Sequence, residues 1–197
     1  MINLAERPFI FIDRDGVINK DSPDYIKNWQ EFEFLPGSLE ALALLTRKGC
    51  RLIIITNQSI INRGMVPLSV LQDTHQRLCR AAAEAGGRIV DIFYCPHRPD
   101  EGCACRKPEP GLILQAHQRY AMNLAGTVMI GDNAKDIECG RNAGCGATIL
   151  VQTGSGPQAL ETLTARQIQP DRVARDLLHA ARMIVQAMPA PHIHEGQ

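Results

Sequence analysis

The stretch Pro8-Phe9-Ile10-Phe11-Ile12-Asp13-Arg14-Asp15-Gly16-Val17-Ile18-Asn19 decides the fold. Pro8 to Ile12 is an unbroken apolar run, too short for a helix, and a run of this kind reads as a strand buried on both faces. It stops on Asp13, a second aspartate follows at i+2, and Gly16 supplies the turn. Outward from it, strand-like and helix-like segments alternate. Pro36-Gly37 opens a helix with Leu39, Leu42, Ala43 and Leu45 on one face, stopped by Gly49; Arg51 to Thr56 is a second buried strand. A helix over 67–85, a strand over 89–94, a Cys/His/Pro-rich loop over 95–110 and a helix over 111–122 follow. Then come a strand over 127–130, a helix over 134–143, a strand over 147–151, a turn at 154–157, and a terminal helix over 172–188. This order predicts an α/β fold, a doubly wound, mostly parallel sheet with helices on both faces. One domain is expected over 1–188, with a frayed tail over 189–197.

The composition bounds the function. With 45% hydrophobic residues in 197, the chain can bury a core without staples, and 21 Lys+Arg balance 21 Asp+Glu. A zero net charge argues against a nucleic-acid or membrane-surface partner. No apolar stretch is long enough for a membrane span, and Asp13 breaks the N-terminal apolar run too early for a secretory signal, so the expected location is cytoplasmic.

Ligands of such folds bind at the carboxyl ends of the strands. The polar residues there are Asp13 and Asp15, Thr56 and Asn57, and Asp132 with Asp136; Arg106-Lys107 come from the loop after the third strand. A carboxylate such as Asp13 can attack phosphorus, and Asp15 is near enough to protonate a leaving oxygen and later to activate water. Crowded carboxylates need a cation, and hard oxygen ligands suit magnesium, with Asp132 the third acid of the site. Lys107 and the Thr56 hydroxyl would balance charge on phosphoryl oxygens. In the loop, Cys95, His97, Cys103 and Cys105 form a Cys₃His set suited to a closed, structural tetrahedral zinc site that would hold Arg106 and Lys107. Cys50, Cys79, Cys139 and Cys145 read as small buried hydrophobes, and His75, His117 and His179 as surface or satisfied core residues.

The ordered set Asp13/Asp15, Thr56, Lys107 and Asp132/Asp136, over about residues 7–154, resembles the four motifs of the haloacid dehalogenase superfamily of phosphohydrolases. The resemblance implies an uncapped Rossmann-like fold, with Asp13 as nucleophile and Asp15 as general acid/base. It also implies magnesium on the Asp13 carboxylate, the Asp15 backbone carbonyl and the Asp132 carboxylate. Within the superfamily, D-R-D-G-V-I-N, T-N-Q-S, the zinc loop and C-R-K-P-E-P-G are similar to the family of uncapped phosphatases acting on heptose bisphosphate in bacterial surface-sugar synthesis. That resemblance implies a small phosphosugar substrate contacted by Asp21, Asp24, Asn57, Gln58, Ser59 and Arg106. A monomer is expected. Histidinol-phosphate phosphatases are the nearest rival, and a non-catalytic phosphosugar-binding protein is the alternative from another class. Two positions depart from the family pattern: Ile60 stands where glycine is usual, and Asn133 where some members carry lysine.

Overall fold

The computed structural model describes residues 7–188; the tail expected over 189–197 lies outside them. Its elements run β1 (Phe9–Ile12), α1 (Ser38–Arg47), β2 (Arg51–Asn57), α2 (Leu68–Glu84), β3 (Ile89–Cys95) and α3 (Gly111–Tyr120). They continue with β4 (Val128–Gly131), α4 (Ala134–Ala143), β5 (Ala147–Val151), α5 (Gly156–Ala165), β6 (Arg172–Ala174) and α6 (Leu177–Ala187). All strand pairs are parallel, in the order β3-β2-β1-β4-β5-β6. The order in which strands are added reverses between β1 and β4, and such a switch point is where open α/β sheets bind ligands.

The alternation of strand side chains builds a core on each face. Ile10, Ile12, Leu52, Ile54, Val128 and Ile130 pack with residues of α1, α2 and α6. Phe9, Phe11, Ile53, Ile55 and Met129 pack with residues of α3 and α4, and Leu150 packs between α4 and α5. Both faces of β1 are therefore covered, which is why its four residues need no polar alternation. Between β1 and α1, Trp29, Phe32 and Phe34 form an aromatic cluster with ring centroids 5.0–6.0 Å apart.

The last third of the chain corrects the sequence expectation. Residues 154–157 are not only a turn: α5 starts at Gly156, and its Ala159 and Leu163 bury against Leu150 and Ile137. The expected helix over 172–188 begins as a strand. β6 is fixed by pairing with Ile149–Val151 and by Asp171, whose carboxylate accepts from the Thr148 amide (2.8 Å) and hydroxyl (2.9 Å). Asp176 then caps α6 by accepting from the His179 amide at 2.7 Å. A three-residue edge strand carries too little periodicity to be read locally.

Candidate active site

The ends of β1, β2 and β4 and the loop after β3 open on one cavity of about 270 Å³, lined among others by Asp13, Asp15, Asp21, Thr56, Asn57, Gln58, Arg106, Lys107, Asp132 and Asp136. Asp13 follows β1 directly, its amide bonded to the Ile130 carbonyl of β4 at 2.9 Å, so its position is set by the sheet. Lys107, 3% exposed, is the cationic centre. Its Nζ lies 2.8 Å from Asp13 Oδ1 and 2.6 Å from Asp136 Oδ1, and donates to the Ile55 carbonyl at 2.9 Å. Its own backbone is clasped by Asn57, which donates to the Lys107 carbonyl (3.2 Å) and accepts from the Lys107 amide (3.1 Å). Asp13 Oδ1 also accepts from the Arg14 amide at 2.7 Å, whereas no described residue donates to Oδ2.

Asp132 sits against two glycines. A Cβ on Gly16 (φ +81°) or on Gly154 (φ +53°) would fall 2.2 Å from Asp132 Oδ2. Glycine is thus required at both positions by backbone angle and by the approach of the carboxylate. The same oxygen accepts from the Ser155 amide at 2.7 Å. Asp136 divides its roles: Oδ1 meets Lys107, and Oδ2 accepts from the Asn133 amide at 2.9 Å in the capping box of α4.

The electrostatics fit a cation site. Burial, with Asp136 and Asp132 nearby, pushes the Asp13 carboxyl well above its ordinary value against the pull of Lys107. Burial and then Asp136 push Asp132 up to about 7. Donor atoms of Asp13, Asp132 and Asp136 lie within 4.8 Å of one another. Three buried carboxylates sharing one lysine leave negative charge that a hard divalent cation would neutralise, so the donor set fits magnesium.

Asp15 is the opposite case. Burial would raise its carboxyl, but the Arg14 charge and hydrogen bonds from Asn19, Arg14 and Gln58 outweigh it and hold it below its ordinary value. Arg14 donates to it three times (Nε 3.0 Å, Nη2 2.8 and 2.9 Å), Asn19 Nδ2 at 2.8 Å and Gln58 Nε2 at 2.8 Å. Gln58 Nε2 also reaches the Thr56 hydroxyl at 2.9 Å.

Not every expected contact lines the cavity. Asp24 is exposed on the 21–26 turn, and Ser59 is buried, its hydroxyl 3.5 Å from Arg63 Nε; neither is on the cavity wall. The sequence reading missed Tyr25 and Ile26, which line the wall through a turn that puts Tyr25 at φ +63°, and Lys135, from the first turn of α4. Lys135 stands two residues beyond Asn133, the position of the absent lysine, which was the available signal. Ile60 is fully buried in an ordinary backbone region, so the branched side chain is spent on packing.

The Cys/His loop is closed on itself. Cys105 Sγ lies 3.2 Å from Cys95 Sγ, 3.5 Å from Cys103 Sγ and 3.3 Å from His97 Nδ1; Cys95 Sγ lies 3.6 Å from Cys103 Sγ and 3.4 Å from His97 Nδ1. Tetrahedral zinc with bonds of about 2.3 Å to sulfur separates its donors by roughly 3.8 Å, so the four donors need little movement to fit. Burial and the neighbouring thiols push the Cys95 thiol up, which disfavours a bare thiolate there. Arg106, next in the chain, donates to the His97 carbonyl at 3.0 Å, tying the cavity wall to this loop.

Comparison with known proteins agrees with this arrangement. A family model described as HAD-hydrolase-like matches residues 104–180. The chain is 42% identical over 179 residues to the D-glycero-beta-D-manno-heptose-1,7-bisphosphate 7-phosphatase of Bordetella bronchiseptica, covering 90% of this chain and 97% of that one. It is 46% identical over 154 residues to the enzyme of that name from Pseudomonas aeruginosa, covering 78% and 86%. The solved D,D-heptose 1,7-bisphosphate phosphatase of B. bronchiseptica, complexed with magnesium and phosphate, superposes with a TM-score of 0.85 at 42% identity, covering 91% of this chain and 98% of that one.

Proposed function

On the premise that this chain belongs to the D-glycero-beta-D-manno-heptose-1,7-bisphosphate 7-phosphatase family of haloacid dehalogenase-like hydrolases, we propose that it removes the 7-phosphate of D-glycero-D-manno-heptose 1,7-bisphosphate through an aspartyl-phosphate on Asp13. The observation that carries the reading is the convergence of Asp13, Asp15, Thr56, Lys107 and Asp132 on one cavity.

Asp15, held below its ordinary value by Arg14, Asn19 and Gln58, first takes up the proton of the bound phosphate monoanion. Asp13 Oδ2, the oxygen with no donor among the described residues, then attacks phosphorus. The ester P–O bond breaks, and Asp15 gives that proton to the departing sugar oxygen. In the second step Asp15, now a carboxylate, takes a proton from water as the water oxygen attacks phosphorus. The bond to Asp13 breaks and inorganic phosphate leaves. Lys107, Thr56 and the loop amides balance the phosphoryl charge. Magnesium, held by the Asp13 and Asp132 carboxylates and the Asp15 carbonyl, would supply further charge neutralisation. Zinc on Cys95, His97, Cys103 and Cys105 would be structural, fixing the loop that carries Arg106 and Lys107.

Asp21, Asn57, Gln58 and Arg106 are read as contacts to the sugar and its second phosphate, Arg106 because its planar fork binds oxygens in pairs. Residues 1–188 are read as one catalytic domain acting as a monomer. The cysteines are unpaired, which fits a reducing cytoplasm, and no described helix is long and apolar enough to cross a membrane.

The test is phosphate release with magnesium from heptose bisphosphate, histidinol phosphate and fructose bisphosphate, following which phosphate is lost by phosphorus NMR. The expected result is loss of the 7-phosphate with the highest kcat/KM, abolished in Asp13→Asn. Preference for histidinol phosphate by orders of magnitude would overturn the substrate, and full activity of Asp13→Asn would overturn the nucleophile.

A further inference from the structure

Arg14 is fully buried, and it sits between two catalytic positions without touching the reacting atoms. A guanidinium stripped of water is stable only where its donors are taken. Nε and Nη2 are spent on Asp15, and Nη1 lies 3.3 Å from Nε2 of His75 on α2. The Arg14 Cζ stacks 5.8 Å from the Phe32 ring centroid, and the His75 ring packs edge-on to Tyr94 at 5.8 Å. The guanidinium is thus fixed from three sides.

We infer that His75, acting through Arg14, is a positioning residue that holds the Asp15 carboxyl in the one orientation from which it serves the leaving oxygen. The inference rests on the reading of Asp15 as the general acid. The chain of contacts continues through Gln58 to the Thr56 hydroxyl, so α2 is linked to the tips of β1 and β2 by one hydrogen-bonded line. An arginine is the donor, so His75 Nε2 carries the lone pair and the ring proton sits on Nδ1. An acid at this position would compete with Asp15 for the guanidinium; a neutral imidazole accepts without adding charge. Burial, followed by the Arg14 charge, lowers His75 to about 3, so the ring stays neutral at physiological pH.

The experiment compares kcat/KM for two monoesters: an alkyl phosphate such as a sugar phosphate, whose leaving oxygen needs a proton, and 2,4-dinitrophenyl phosphate, whose leaving group does not. The variants are His75→Phe, which keeps the ring without an acceptor, His75→Gln, which restores an acceptor near Nε2, and Arg14→Lys, which keeps the charge without the fork. His75→Phe is expected to lose about tenfold on the alkyl phosphate and under about twofold on the dinitrophenyl ester, within the usual span of general acid catalysis. His75→Gln should recover most of that loss, and Arg14→Lys should show the same selectivity. Asp15→Asn is the control. If it discriminates between the two esters and the folded His75→Phe and Arg14→Lys proteins do not, the positioning role is overturned while the acid stands. If Asp15→Asn loses equally on both, the reading of Asp15 fails first. Should His75→Phe not fold, equal losses on both esters in Arg14→Lys overturn the inference by themselves.

Discussion

Replacing Lys107 by Met keeps much of the stem volume and deletes the one cation between Asp13 and Asp136. Removing one partner of a buried ion pair leaves an uncompensated charge, at about 3–5 kcal/mol. Lys107 contacts two carboxylates and is 3% exposed, so solvent screening offers little relief. For a domain of this size about 1 kcal/mol moves Tm by 2–4 °C, which predicts a fall of about 10 °C in EDTA at pH 8. The loss depends on pH in a fixed direction. Without Lys107 the Asp13 carboxyl rises further above its unfolded value, and a raised carboxyl costs stability as pH climbs from the unfolded pKa through the folded one. Lys107→Met is therefore destabilised less at pH 5 than at pH 8. Adding Asp136→Asn should return part of the loss at pH 8, because one of the stranded acids is gone. Thermal melts of the parent, Lys107→Met and the double variant in EDTA at the two pH values decide it. A pH-independent change, or a Tm within about 1 °C of the parent at pH 8, would show that Lys107 does not balance these carboxylates.

Three further outcomes follow from the same geometry. Gly16→Ala forces a Cβ to within 2.2 Å of Asp132 Oδ2 at φ +81°; it should cost about 1–2 kcal/mol of stability and weaken magnesium activation, and an unchanged magnesium titration would contradict the close approach. Parent protein in EDTA should lose stability from pH 5 to pH 8, because Asp132, pushed up to about 7, ionises at a cost only in the folded chain; the slope, on the order of a few kcal/mol in all, should shrink in excess magnesium or in Asp132→Asn, as urea melts can measure. Cys105→Ser should drop zinc from about one per chain towards none by elemental analysis, and lower Tm and kcat together; retention of zinc would exclude the four-donor site.

Much of this protein was legible along the chain. Pro8–Ile12 and Leu52–Ile55 are continuous apolar runs, and both faces of a central strand are covered, so each run had one reading. Asp13 and Thr56 were found because they stop such runs, and Asp132 because it follows the Gly131 that ends a strand. The spacing of Cys95, His97, Cys103 and Cys105 within eleven residues let one short loop gather them. What the sequence could not show depends on contacts between distant segments. β6 exists because β5 offers it an edge and Asp171 reaches Thr148. Tyr25 and Lys135 meet on one cavity wall although more than a hundred residues separate them in the chain. Asp13 and Asp15, two residues apart, carry carboxyls shifted in opposite directions, because Asp13 shares Lys107 with other acids while Asp15 has an arginine to itself. Arg14 and His75 looked like a loop arginine and a helix histidine; only the packing of α2 against the tip of β1 buries them together. Local pattern determined which residues could do the chemistry, and the fold determined their charges, because charge in a buried site is set by neighbours that the chain brings from elsewhere.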